Sequence, residues 1–202
     1  MFIIGITGGS GAGKTSALRA IGSLGALVLD CDEIYHELLH SSSGLKAEIG
    51  ARFPGVLRGG VIDRKALGEI VFGDPSSLAD LNAITHKYVT EEVDRPMSEW
   101  EARGGNVTAI DAIALIESGR AEKCDVIVGV TAPESLRIQR IMLRDKIAHD
   151  MAELRIKAQK PDSFFKQNCD HILKNIYDSA EEFEEMCREF FAGLIRKHAD
   201  DY

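Results

Sequence analysis

Gly8-Gly9-Ser10-Gly11-Ala12-Gly13-Lys14-Thr15 matches the pattern G-x-x-x-x-G-K-[ST] in full. In that pattern the glycines let the backbone curl so that successive amides point at phosphate oxygens. The flanks agree with it. Residues 2 to 7 are apolar and β-branched, and Lys14 to Leu24 carries Ala17, Leu18, Ile21 and Leu24 at helical spacing. Strand, loop and helix in this order set the positive end of a helix dipole against a bound anion. Gly9, Ser10, Gly11, Ala12, Gly13, Lys14, Thr15 and Ser16 are therefore the expected contacts to the phosphates of ATP. Lys14 has the reach for the β and γ phosphates and acts catalytically there, while the Thr15 hydroxyl is the expected protein ligand of Mg²⁺.

Working outward, a second short strand, Ala26 to Leu29, ends in Asp30-Cys31-Asp32. Two more apolar runs lie at Val107 to Ile110 and Val126 to Val130, with a weaker one at His171 to Leu173. Short apolar strands alternating with helical stretches predict an α/β fold: a parallel sheet of the P-loop NTPase type, flanked by helices, with ligands at the carboxyl ends of its strands. Roughly 75 residues separate the second and third strands, far more than one crossover helix needs. A helical substrate subdomain, about 35–105, is expected there, including helices at Arg64 to Phe72 behind an Asp63 cap and from Ser76 to about Arg103. A polar stretch at about 144–167 containing Pro161 is expected to form a helical lid. The final helix starts at Ser179, with Glu182 completing a capping box, and presents an apolar stripe through Phe183, Cys187 and Phe190. The whole of 1–202 reads as a single domain with these two additions.

Composition bounds the function. A formal charge of −8 opposes a long contact with nucleic-acid phosphates, so no nucleic-acid partner is expected. No apolar run approaches the roughly 20 residues that cross a bilayer, so no membrane partner is expected either. Cys31, Cys124, Cys169 and Cys187 are widely spaced and form no Cys-x-x-Cys pair, which argues for four reduced thiols. With an amino terminus that runs straight into a strand, this points to the cytoplasm.

A phosphate loop holds a nucleotide without specifying the reaction, so the acids at the strand ends come next. Asp32 stands where an acceptor hydroxyl would approach Lys14, as general base or hydroxyl orienter. The competing reading is that Asp30 and Asp32 cap the helix Glu33 to Leu39. Asp111 closes the third strand, where P-loop proteins keep an acid near the metal. Arg137, Arg140 and Arg144 follow Pro133 at i, i+3 and i+7 and share one helical face. They form either a phosphate fork, with Arg140 as its main member, or an ordinary charged surface beside Glu134 and Asp145.

Together these residues resemble the dephospho-coenzyme A kinase family. The resemblance runs along nearly the whole chain: the loop, Asp30-Cys31-Asp32, Leu67-Gly68-Glu69-Ile70-Val71-Phe72, Ile84-Thr85-His86, the arginine-rich stretch Arg137 to Asp145, Gln159, and Asp170 to Asn175. It implies ATP-dependent phosphorylation of the ribose 3′-hydroxyl of dephospho-CoA, the last step of CoA synthesis. It also implies Asp32 as base, Arg140 on the ATP phosphates from the lid side with Arg144 nearby, and Asn175 beside the adenine. Acceptor binding would fall to the inserted helices, with His86, Asp111 and Glu117 as contacts. The chain departs from the family's pattern at Cys31, where alanine is usual, at Lys87, where proline is usual after His86, and in the turn Ile113 to Glu117, which lacks a proline.

Two rivals are weighed on motifs. Shikimate kinase also joins a phosphate loop to Asp-x-Asp, but its glycine-triplet acceptor motif is missing, and the long insertion exceeds what so small an acceptor requires. A GTPase-type switch needs Asn-Lys-x-Asp to specify guanine, and the string does not occur.

Overall fold

The computed structural model describes residues 1–112 and 114–200. From the amino terminus run β1 (Phe2–Gly8), α1 (Lys14–Ser23), β2 (Leu27–Asp30), α2 (Cys31–Ser41), α3 (Ser43–Arg52), β3 (Leu57–Arg58) and β4 (Val61–Ile62). The chain continues through α4 (Arg64–Gly73), α5 (Pro75–Ala102), β5 (Val107–Asp111) and β6 (Val126–Thr131). It closes with α6 (Glu134–Asp145), α7 (His149–Lys157), α8 (Asp162–Asn168), β7 (His171–Lys174) and α9 (Ala180–Asp200). Two compact units result: Met1–Leu29 with the chain from Trp100 onward, and Asp30–Glu99.

The first unit is built on a sheet of order β2-β5-β1-β6-β7. β1 pairs in parallel with β5 and β6, and β6 in parallel with β7. This is the parallel architecture expected from the apolar runs. Ile4 and Ile6 of the central strand are fully buried, which is why β1 reads as a continuous apolar run rather than an alternating one. Ala17, Ala20 and Ile21 of α1 join the same core as Phe183, Cys187 and Phe191 of α9, the latter three recurring at four-residue spacing. Burying one such phenylalanine stabilises the fold by about 1.5–3 kcal/mol. α9 begins where Ser179 Oγ accepts the Glu182 N–H at 3.1 Å, the serine half of the expected capping box. A smaller apolar cluster joins Ile138 and Ile141 of α6 to Ala152 and Ile156 of α7. The polar stretch expected as a lid consists of α7 and α8, separated at Pro161, which cannot continue a helix through its missing N–H.

In the second unit Asp30 caps α2, Ser42 caps α3 and Asp63 caps α4, each accepting a first-turn backbone N–H. The Asp30 cap makes α2 start two residues before the Glu33 expected from sequence. α4 and α5 fall where the sequence put them, whereas α3 and the β3-β4 hairpin were not anticipated. The hairpin turns on Gly59 and Gly60, with φ of 57° and 80°, the doubly left-handed geometry that a two-residue turn between twisted strands favours. α5 buries Leu81, Thr85, Val89, Val93 and Met97 on one stripe. Its Tyr88 donates to Glu48 Oε1 of α3 at 2.6 Å, and Asp80 pairs with Arg52 of α3 at 2.6 Å.

Candidate active site

The first unit gathers the phosphate loop, Asp111, Glu117, Arg140, Arg144 and Asn175, while Asp32 and His86 belong to the second. β1 ends at Gly8, α1 begins at Lys14, and the loop between them curls through Gly11 and Gly13, with φ of 76° and 110°. Gly13 is required twice over. Its φ disfavours a side chain, and a Cβ there would collide with the Asn175 carboxamide. Among the described residues, the backbone N–H groups of Gly11, Gly13, Lys14 and Thr15 have no protein acceptor. Unpaired amides at a helix amino terminus form an anion site, because each donor not satisfied by the protein is open to a ligand oxygen.

Lys14 Nζ lies 3.7 Å from Asp111 Oδ1, and both side chains are largely buried. Register explains the meeting: Ile6 of β1 pairs with Asp111 at the carboxyl end of β5, so the acid stands at the sheet edge from which the loop springs. Thr15 is exposed and Ser16 buried on the first turn of α1.

Of the three arginines expected on one face, each has a different environment. Arg137 is buried, donating through Nε to Ser10 O at 3.0 Å and through Nη2 to Gln159 Oε1 at 2.7 Å. Burial pulls its pKa below the usual arginine value, with Asp162 and Glu134 opposing the shift. Arg140, half-buried, donates to Gly11 O at 3.2 Å, Asn175 Oδ1 at 3.2 Å and Tyr177 O at 2.8 Å. Arg144 is exposed and donates to both oxygens of Asp145, which also pairs with Arg155. Hydrogen bonding to Asp145 raises the Arg144 pKa.

Asn175 is buried just beyond β7, and its Nδ2 donates to Ala12 O at 2.9 Å. Its carboxamide thus links Arg140 to the loop. The contacts that Arg137 and Gln159 make to Ser10 were not legible in the sequence. Nothing in residue spacing signals that a glutamine 149 positions away meets the loop. A glycine at Gly9, which the loop pattern leaves unspecified, was the one available hint: a Cβ there would strike the Arg137 guanidinium.

Glu117 is exposed and lines a cavity of about 310 Å³ with Gly8, Gly9, Ala114, Gln159, Lys160 and Phe165. In the turn that carries it, Ile113 lies outside the described residues. In the second unit, Asp30 Oδ1 accepts from the N–H groups of Asp32 and Glu33, both at 2.9 Å. Asp30 is therefore the cap, and the half-buried Asp32 is not. His86 is exposed on α5, and the neighbouring Lys87 pairs with Glu48 at 3.1 Å, so α5 runs unbroken through a position where proline was expected.

Among the described residues no group of three or more His, Cys, Asp or Glu is arranged to hold a metal ion. The oxygen donors at the loop, the Thr15 hydroxyl and the Asp111 carboxylate, are of the hard type that suits Mg²⁺. No helix among the described residues is long and apolar enough to cross a membrane.

Comparison with known proteins agrees with this geometry. The family model described as dephospho-CoA kinase (CoaE) matches residues 2–181. A dephospho-CoA kinase of Moorella thermoacetica is 38% identical over 204 residues, covering 100% of this chain and 96% of the relative. Among solved structures, TT1252 from Thermus thermophilus superposes with a TM-score of 0.81 at 29% identity, over 96% of this chain and 97% of that one. The dephospho-CoA kinase from Campylobacter jejuni gives 0.68 at 26% identity, over 97% and 98%. With a family match spanning nearly its full length and a parallel sheet ending in a complete phosphate loop, the chain belongs to the dephospho-CoA kinase family of ATP-dependent P-loop kinases.

Proposed function

We propose that this chain transfers the γ-phosphoryl group of ATP to the ribose 3′-hydroxyl of dephospho-CoA, giving CoA and ADP, with residues 9–16 as the ATP-phosphate site. The observation that carries the assignment of the site is the set of unpaired amides of Gly11, Gly13, Lys14 and Thr15 beside a largely buried Lys14 side chain. In the transfer the bond between the γ-phosphorus and the β,γ-bridging oxygen breaks. A bond from the ribose oxygen to that phosphorus forms, and the hydroxyl proton leaves with Asp32 before passing to solvent. Support for Asp32 is its position just past the carboxyl end of β2, together with the finding that the capping role falls to Asp30 alone.

Lys14 offsets charge on the β and γ phosphates, steadied by Asp111. Arg140, already fastened to the loop through Gly11 O, brings a second positive charge to the phosphates, with Arg144 further out and Asn175 bordering the nucleotide. Thr15 would hold Mg²⁺, with Asp111 close by; when bound, the ion neutralises charge on the phosphoryl oxygens. Glu117 and Asp111, with His86 of the inserted unit, are the acceptor contacts. The helical insertion of about 35–105 receives dephospho-CoA, and the segment of about 144–167 serves as the lid of a single domain. The partner is a small molecule rather than nucleic acid or membrane, and the compartment is the cytoplasm.

A coupled ADP-release assay across dephospho-CoA, shikimate and nucleoside monophosphates tests the reading. Magnesium-dependent turnover with dephospho-CoA alone is expected, and preference for another acceptor overturns it. Lys14→Ala should abolish Mg·ATP binding in a titration of the same enzyme.

A further inference from the structure

Ser10 is held on every polar atom. Its N–H donates to Gln159 Oε1 at 2.9 Å, its hydroxyl accepts from Gln159 Nε2 at 2.8 Å, and its carbonyl accepts from Arg137 Nε at 3.0 Å. Arg137 closes the ring by donating to Gln159 Oε1 at 2.7 Å. The loop's own chemistry does not require this arrangement, because the amides open to a ligand begin one residue later, at Gly11. Arg137 is buried, and a buried cation without good partners is strongly destabilising, so the network is a built feature of the fold. Gly9 makes room for it, since any side chain there would occupy the space of the guanidinium.

Gln159 comes from the short connection between α7 and α8, the middle of the segment assigned as the lid. It also lines two cavities, one of about 310 Å³ shared with Glu117 and one of about 500 Å³ shared with Arg137, Lys157 and Asp162. One carboxamide thus touches the phosphate loop, the lid connection and both neighbouring chambers. We propose that Gln159, oriented by Arg137, is a positioning residue that latches the α7-α8 connection to Ser10 and presets the phosphate loop for the triphosphate. Holding the amino-terminal arm of the loop fixes the direction of the amides that follow, and a preordered anion site loses less conformational entropy on binding. Because the same side chain belongs to the lid connection, ordering of the lid and binding of ATP favour each other.

The inference rests on residues 9–16 holding the ATP phosphates, and the experiment separates the two. Gln159→Met keeps the length of the side chain and removes its hydrogen bonds, whereas Gln159→Glu keeps an acceptor for both Ser10 N–H and Arg137. Titration with Mg·ATP should show Gln159→Met binding about tenfold more weakly, the loss of one to two net hydrogen bonds. Hydrogen exchange at the Ser10 amide and across 158–160 should quicken in the same variant, and Gln159→Glu should recover most of the affinity. Wild-type ATP affinity in Gln159→Met while Lys14→Ala loses binding would overturn the latch alone. Undiminished binding in Lys14→Ala would overturn both assignments. Equal losses in Gln159→Met and Gln159→Glu, matched by equal falls in melting temperature, would reduce Gln159 to general packing and also end the proposal.

Discussion

Around the phosphate loop, buried and half-buried polar side chains fasten the backbone. Arg137, Arg140 and Asn175 bond the carbonyls of Ser10, Gly11 and Ala12 in succession, and Gln159 takes the Ser10 amide. In the unit Asp30–Glu99 the fastening is apolar, through buried Leu45, Ile49, Leu67 and Val93, and its polar links, such as Lys87 with Glu48, lie at the surface. The difference teaches what each region must do. A loop that leaves the amides of Gly11, Gly13, Lys14 and Thr15 open to a ligand cannot fill its own centre with side chains, so it is shaped from behind by directional bonds. A helical subdomain needs only to hold its helices together, and surface ion pairs contribute little to that beyond apolar burial.

The sharpest way to break this contrast is at the proposed base. Asp32→Asn should lower turnover about 10²–10⁴-fold in the ADP-release assay while leaving Mg·ATP affinity nearly intact. Near-normal turnover would leave Asp32 as a first-turn acid favoured by the α2 dipole. A paired measurement sharpens the contrast itself. Leu45→Ala, at a fully buried site in the inserted unit, should cost about 2–5 kcal/mol in denaturant unfolding without weakening ATP binding by the folded enzyme. Asn175→Ala should cost less stability, about 1–3 kcal/mol, but weaken Mg·ATP binding, since it removes the donor to Ala12 O and one of the three acceptors of Arg140. If both variants affect stability and affinity in the same proportion, the two regions are not held by different means.

The smallest effect concerns alkaline pH. Burial pushes the thiols of Cys124 and Cys169 up to about 11 and that of Cys187 to about 12, from an ordinary 9.0, and all three lie in the loop-bearing unit. A folded-state pKa raised in this way means that the neutral thiol is favoured by folding. Its contribution is fully present below pH 9.0 and is lost as pH rises through about 11–12. Melting curves from pH 8 to 11 should fall more steeply for the wild-type chain than for Cys124→Ala or Cys169→Ala. Parallel curves would show that the thiols are not the cause.

Much of the fold was legible because its signals are local. The apolar β-branched runs of β1, β5 and β6, the Asp63 and Ser179 caps, and the four-residue stripe of α9 each lie within a few residues of one another. α3 escaped notice because only Leu45 and Ile49 mark its buried face, too few to establish a helical period. The hairpin escaped because two-residue strands carry no alternation, although Gly59-Gly60 did announce its turn.

By itself the sequence determined that residues 8 to 15 carry a complete phosphate-loop pattern, because glycines, one lysine and one hydroxyl in fixed order are covalent facts needing no tertiary context. Only the tertiary structure decided that Asp30 rather than Asp32 caps α2, and that the three arginines part into a buried strut, a loop clasp and a surface ion pair. The reason is physical. Periodicity tells which residues share a face, but burial and partner geometry, set by strands and helices more than a hundred residues away in the chain, decide what each charge on that face meets.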